Sequence, residues 1–156
     1  MENLFYLYEG KVKIYPASFN WFDVLKDIKQ FDWCFILTYN ISRSLDIIRI
    51  FENFSNYIKR TYFQAKVILI ANSKFKSDVR KIKKEFPEIH YYIVDNLHAK
   101  GFIFSTGDII LGSANLTHRE RFAGTLDIVF YLNDIQLSSF LVKNFIKPLL
   151  KISKKI

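Results

Sequence analysis

The chain has 156 residues, half of them hydrophobic, which suffices for one cored domain and leaves no room for two ordinary ones. A net charge of +8 favours a polyanionic partner, nucleic acid or an anionic surface, while no apolar run approaches the roughly 18 residues of a membrane span. The single cysteine, Cys34, rules out an intrachain disulfide, and its setting in Trp33-Cys34-Phe35-Ile36-Leu37 marks it as a small buried side chain suited to a reducing interior.

In chain order, the opening Met1 to Glu9 has an early acid and no basic stretch before an apolar core, so no leader and a cytoplasmic location are expected. Asn20 to Gln30 predicts a short helix and Asp32 to Asn40 a buried strand. Arg43 to Lys59 carries Leu45, Ile48, Phe51 and Ile58 at helical spacing, and Ala65 to Ala71 is an apolar strand, giving strand, helix, strand. Phe75 to Phe86 predicts a further helix, ended by Pro87, and His90 to Val94 a further strand. A hairpin from Ala99 through Ser113, a strand from Leu126 to Leu132 and an amphipathic helix from about Ile135 to Leu149 complete the order. The pattern predicts an α/β fold, a mixed β-sheet flanked by helices, as one domain over residues 1–150 with a basic C-terminal tail, residues 151–156, expected to fray.

The chemistry concentrates in one span. His98-Ala99-Lys100 is followed, after residues 101–111, by Gly112-Ser113-Ala114-Asn115-Leu116-Thr117. Period-2 patterning puts His98 and Lys100 on one face of a strand and Ser113 and Asn115 on one face of the next. With Ser105 to Asp108 as a four-residue turn, Phe104 would face Ile109, Lys100 would face Ser113 and His98 would face Asn115. A lone histidine beside an apolar strand usually serves structure; these spaced companions point instead to phosphoryl transfer.

His98-Ala-Lys100 and Gly112-Ser-Ala-Asn115 match the HxK and GSxN elements of the phospholipase D-like superfamily, including their spacing. From about Phe31 through Leu149 the chain resembles a single catalytic repeat of that superfamily, in its single-motif nuclease branch, and is also similar to related restriction endonuclease catalytic domains. The family pattern has an aspartate five residues after the lysine. Here that position is Ser105, with Asp108 three residues beyond.

The resemblance implies that His98 attacks phosphorus as a neutral imidazole and forms a covalent phosphohistidine. Lys100, the Asn115 amide and the Ser113 hydroxyl would then stabilise charge on the nonbridging oxygens. Gly112 would let backbone and phosphate approach closely, and Gly101 would spare the opposite face a bulky side chain. Asp127 is expected to hold the second ring nitrogen of the histidine, with Glu120 as a competitor. Thr117, His118 and Arg119 are expected at the substrate, with Arg121 as an alternative to Arg119. The family mechanism needs two histidines, one as nucleophile and one as general acid, and the chain has one HxK; a two-fold homodimer with both motifs at a shared cleft resolves the count.

Lys74, Lys76, Arg80, Lys81, Lys83 and Lys84 cluster around one predicted helix and suit successive phosphates, so DNA or another nucleic acid is the expected substrate, without stable membrane insertion. The competing functions are a noncatalytic nucleic-acid-binding or assembly module and a phospholipid phosphodiesterase. No cofactor is expected, and with three histidines and one cysteine in the chain no linear metal-ligand motif is evident.

Overall fold

Apolar strands joined by amphipathic helices must pair side by side with the helices laid across the sheet, and the central part of the chain does this. The computed structural model describes residues 5–17, 19–117 and 127–156. Within them β2 (Trp33–Thr38), α2 (Leu45–Arg60), β3 (Lys66–Asn72), α3 (Lys76–Glu85) and β4 (His90–Val94) form two successive parallel units. The antiparallel half follows as β5 (Gly101–Phe104), β6 (Asp108–Gly112) and β7 (Val129–Asn133), with β1 (Lys13–Tyr15) and β8 (Lys154–Lys155) at the margins. The strand order is β1-β7-β6-β5-β2-β3-β4-β8, a mixed sheet as expected.

One face carries the main core. On α2, Ile47, Ile50, Phe51, Phe54 and Ile58 recur at helical spacing and pack over Cys34, Ile36, Val67 and Leu69. Cys34 is fully buried, and burial pushes its thiol well up. α1 (Trp21–Leu25) is shorter than expected. Its side chains Trp21 and Val24 face the core, and the chain then leaves the helix toward Phe31, whose backbone N–H and C=O both bond the Tyr57 hydroxyl at 3.0 Å.

The opposite face is covered by one rod, α4 (Ile135–Leu141), a π turn (Val142–Ile146) and α5 (Lys147–Ile152), which buries Ile146 against Leu37, Ile70 and Ile103. Pro148 has no N–H to donate into the preceding turn, which accounts for the widened turn at that point. The basic end of the chain does not fray. Lys154–Lys155 pairs with Ile93 and Tyr92 of β4, and the Ile156 N–H bonds the Tyr91 carbonyl at 3.1 Å.

The hairpin differs from expectation by one residue. Gly101 faces Leu111, Phe102 faces Ile110 and Ile103 faces Ile109, because the turn is Ser105–Thr106–Gly107, with Gly107 at φ +87°. This register sends Phe102, Phe104 and Ile110 into the main core. It also sets Lys100 beside Gly112, whose N–H donates to the Lys100 carbonyl at 3.3 Å. A one-residue slip exchanges the faces, so strand alternation alone would put Ser113 and Asn115 on the other face of the sheet from His98 and Lys100.

Candidate active site

The groups converge at one end of the sheet because of how the chain leaves its strands. β4 and β5 lie three strand spacings apart, about 14 Å. Residues 95–100 can span at most about 20 Å, so they cross the carboxyl ends of β3 and β2 with little slack. Asn96 takes the left-handed conformation, φ 60°, that asparagine tolerates. Buried Leu97 anchors the crossing, and the side-chain amide of buried Asn72, at the end of β3, donates to the Leu97 carbonyl at 3.1 Å. His98 is thereby laid over the end of β2.

There its imidazole stacks on Tyr39, with ring centroids 4.8 Å apart and planes 13° from parallel. The Lys100 ammonium lies 5.7 Å from the same ring and donates to the His98 carbonyl at 2.8 Å, using one of its three donors. Phe75 meets the far side of the cluster edge-on, 5.1 Å from Tyr39.

The second motif arrives by a bend after Gly112. Ala114 and Leu116 are buried, Leu116 bridges Ile41, and its N–H donates to the buried Thr38 hydroxyl at 3.2 Å. Asn115 therefore lies beside Asn40, whose backbone N–H donates to Asn115 Oδ1 at 3.0 Å, while Trp21 Nε1 donates to the Asn115 carbonyl at 3.1 Å. Tyr39 and Asn40 are thus the link. One touches the HxK residues and the next holds the GSxN asparagine. With the Asn115 oxygen engaged by Asn40, its amide nitrogen remains the donor suited to an anion.

Ser113 and Asp127 form a clasp of their own. The Ser113 hydroxyl donates to Asp127 Oδ1 at 2.9 Å and accepts from the Ile128 N–H at 3.0 Å. Ser113 thus ties the bend to the start of β7. Gly112 has a demand from the same strand: a Cβ there would lie 2.1 Å from the Ile128 carbonyl oxygen. A Cβ on Gly101 would lie 2.2 Å from the Ile110 carbonyl oxygen, so close strand approach accounts for both glycines. Thr117 is half-buried beyond Leu116, while His118, Arg119, Glu120 and Arg121 fall outside the described residues.

Ser105 lies at the other end of β5, about 16 Å along the strand from Lys100. Its hydroxyl accepts from the backbone N–H groups of Asp32 (2.8 Å) and Trp33 (3.3 Å), fastening the start of β2. Asp108 sits at that end too, where Tyr131 donates to it at 2.5 Å and Asn133 at 3.1 Å. Burial and then this carboxylate push the Tyr131 phenol up to about 12. The departure from the family pattern is therefore remote from the site.

The basic cluster is divided by the fold. Lys74 and Lys76 flank Phe75 at the site end, whereas α3 runs away from it and carries Lys83 and Lys84 about 10 Å farther along its axis. Arg80, Lys81 and Lys84 are exposed, Lys81 within 4.0 Å of Asp78, and Val79 and Ile82 form the buried face. Among the described residues no three His, Cys, Asp or Glu side chains group as metal ligands, and no helix is long and apolar enough to cross a membrane.

No family model and no curated protein matches the sequence. Solved structures do match. NucT from Helicobacter pylori superposes with a TM-score of 0.71 at 16% identity, covering 94% of this chain and 99% of that one. Nuc from Salmonella typhimurium, a phospholipase D family member, gives 0.71 at 15%, covering 94% and 96%. The fold is phospholipase D-like. A phosphatidylserine synthase from Haemophilus influenzae Rd KW20 gives 0.69 at 16%, covering 93% of this chain and 39% of that one. Within the phospholipase D-like fold, Tyr39, Asn40, Thr38 and Asn72 were not signalled by motif spacing. Their one sequence cue is the polar run Thr38-Tyr39-Asn40 closing an apolar strand, at the carboxyl end where ligands bind open α/β sheets.

Proposed function

We propose that this protein is a metal-independent phosphodiesterase, an endonuclease cleaving DNA through a covalent phosphohistidine at a homodimer interface. The observation that carries the reading is the link through Tyr39 and Asn40, which gathers His98, Lys100 and Asn115 at one end of the sheet. NucT and the phospholipase D family member Nuc share the fold over nearly their whole length. Lys74 and Lys76 beside Phe75 supply cations where a polynucleotide backbone would meet the site.

In this mechanism a ring nitrogen of His98 attacks phosphorus, an N–P bond forms, and the bond to the leaving oxygen breaks. The His98 of a second copy gives that oxygen its proton. The same imidazole then takes a proton from water, whose oxygen attacks phosphorus as the N–P bond breaks, restoring both histidines. Lys100 and the Asn115 amide stabilise the nonbridging oxygens in both steps.

The test pairs turnover with trapping of the intermediate on wild type, His98→Ala and Lys100→Ala, in excess EDTA and at matched salt. His98→Ala is expected to fold and dimerise, yield no phosphohistidine and lose at least about 10²-fold in rate. Lys100→Ala is expected to lose about 3 kcal/mol of transition-state stabilisation. Near-native turnover by folded His98→Ala, full activity as a strict monomer, or loss in EDTA restored by one divalent ion would overturn the reading. Hydrolysis of phosphatidyl groups without nuclease activity would assign the lipid chemistry instead.

A further inference from the structure

A cavity of about 710 Å³ lies away from this site. It lies between the segment leaving α1 and the C-terminal half of α2, at the end of the sheet where β2 begins. Ile50, Phe54 and Tyr57 of α2 form one wall with Phe31, and Phe22, 47% exposed, forms the lip. Measured along α2, Arg60 is about 22 Å from Leu45, which starts the helix at the active-site end.

Its charge is one-sided. Lys26, Lys29 and Arg60 line it, together with the amides of Gln30, Asn53 and Asn56, and no acidic side chain among the described residues does. Lys26 lies 3.9 Å from Asp23, and Arg60 lies over the Tyr57 ring at 5.9 Å; Lys29 is exposed. The chain then continues from Thr61, on the cavity wall, into two aromatic residues that point to solvent, Tyr62 at 88% and Phe63 at 62% exposure. Both take positive φ, 52° and 64°, a conformation bulky side chains rarely adopt, and Phe63 N–H closes the helix end on the Ile58 carbonyl at 2.9 Å. The helix end thus presents two large aromatic rings to water.

Aromatic faces for stacking, amides for base edges and exposed cations are the ingredients of single-strand recognition. We infer that this groove is a second binding site, a platform for single-stranded nucleic acid remote from the chemistry. The inference rests on the nucleic-acid reading of the active site and adds to it a substrate form. A strand seated between Phe22 and Tyr62 can run along α2 to the cluster at His98, so the two sites would hold one strand and raise its effective concentration at the catalytic end.

The experiment measures binding of a fluorescent single-stranded oligonucleotide by anisotropy across a salt series, for wild type, Lys29→Glu/Arg60→Glu, Phe22→Ala, and the control Lys147→Glu/Lys151→Glu on the opposite helical layer. The groove double variant is expected to bind at least about 10-fold more weakly, with a salt slope shallower by about 2, while the control changes binding much less. An abasic strand of equal length is expected to bind wild type more weakly than the normal strand, and Phe22→Ala is expected to shrink that difference. Cleavage of a small diester, bis(p-nitrophenyl) phosphate, is expected to be unchanged in all variants. Equal weakening by the control pair, an unaltered Kd in the groove variants, or equal affinity for a free mononucleotide and the strand would overturn the proposal. If wild type cleaves no diester but groove-dependent strand binding persists, the catalytic reading fails and the platform stands.

Discussion

Tyr39 and His98 lie face to face although 59 positions separate them in sequence, the ring of one closing β2 and the ring of the other carried over it by a crossing loop. The stack holds the plane of the imidazole, which in the proposed mechanism must be kept for His98 to meet phosphorus in line. Tyr39→Phe preserves the face and is expected to keep near-native kcat. Tyr39→Ala frees the imidazole, and kcat is expected to fall by between about 10-fold and 10²-fold with KM much less changed. Steady-state kinetics on the two variants, after thermal unfolding shows both folded, would decide it; equal losses would show that the hydroxyl, not the face, matters.

The proposed mechanism gives Asn115 two separable duties. Asn115→Ala leaves the Asn40 N–H without its acceptor and is expected to cost about 1–3 kcal/mol of stability by denaturant titration, along with activity. Asn115→Asp keeps the acceptor but brings a negative charge to the site. Stability close to wild type with at least about 10²-fold loss of turnover is expected, and an active aspartate variant would exclude Asn115 as a phosphate donor.

For Ser105 the expected separation is the reverse. Ser105→Ala strips two backbone N–H groups at the start of β2 of their acceptor and should lower stability by about 1–3 kcal/mol, leaving kcat per folded molecule within about 2-fold. Ser105→Asp supplies a carboxylate acceptor in the same place. It is expected to fold and to leave turnover unchanged, so a large rise in kcat would show that the family aspartate acts on the chemistry from a distance.

Glu88 contributes to the acid limb of stability. Burial raises its carboxyl, but the Ser55 hydroxyl at 2.7 Å, the backbone and Lys59 at 3.3 Å outweigh this and hold it below its ordinary value. Its folded pKa being lower than its unfolded one, its contribution is present above the unfolded value, about 4.3, and is lost as pH falls through the folded value. Glu88→Gln is expected to cost about 1 kcal/mol at pH 7 and less at pH 3, read from denaturant midpoints. A constant difference across that range would contradict the linkage.

The parallel half of the fold is legible because each of its elements carries its own periodicity: α2 shows Ile47, Ile50, Phe51, Phe54 and Ile58, and β3 is apolar almost throughout. The hairpin register is not, since a three-residue turn with Gly107 in a left-handed conformation and a four-residue turn ending at Asp108 fit the same letters. β1 and β8 are short and charged, and only the partner strands β7 and β4 make them strands. At the site, His98, Lys100 and Asn115 stand out through spacing, whereas Tyr39 and Asn40 belong to it only because β4 and β5 are not neighbours and the chain must pass over β2.

The same two short strands bear on how the molecule behaves in a crowd. An eight-stranded sheet offers two rows of backbone groups on which another molecule's strand can grow, and here those rows are three and two residues long. Lys13 holds its ammonium over Tyr15 and Tyr131, and Lys155 holds its own over Tyr92, so an incoming strand meets charge at either margin. A chain this rich in strand and aromatic residues thereby carries its own guard against fibril growth, placed where propagation would have to begin.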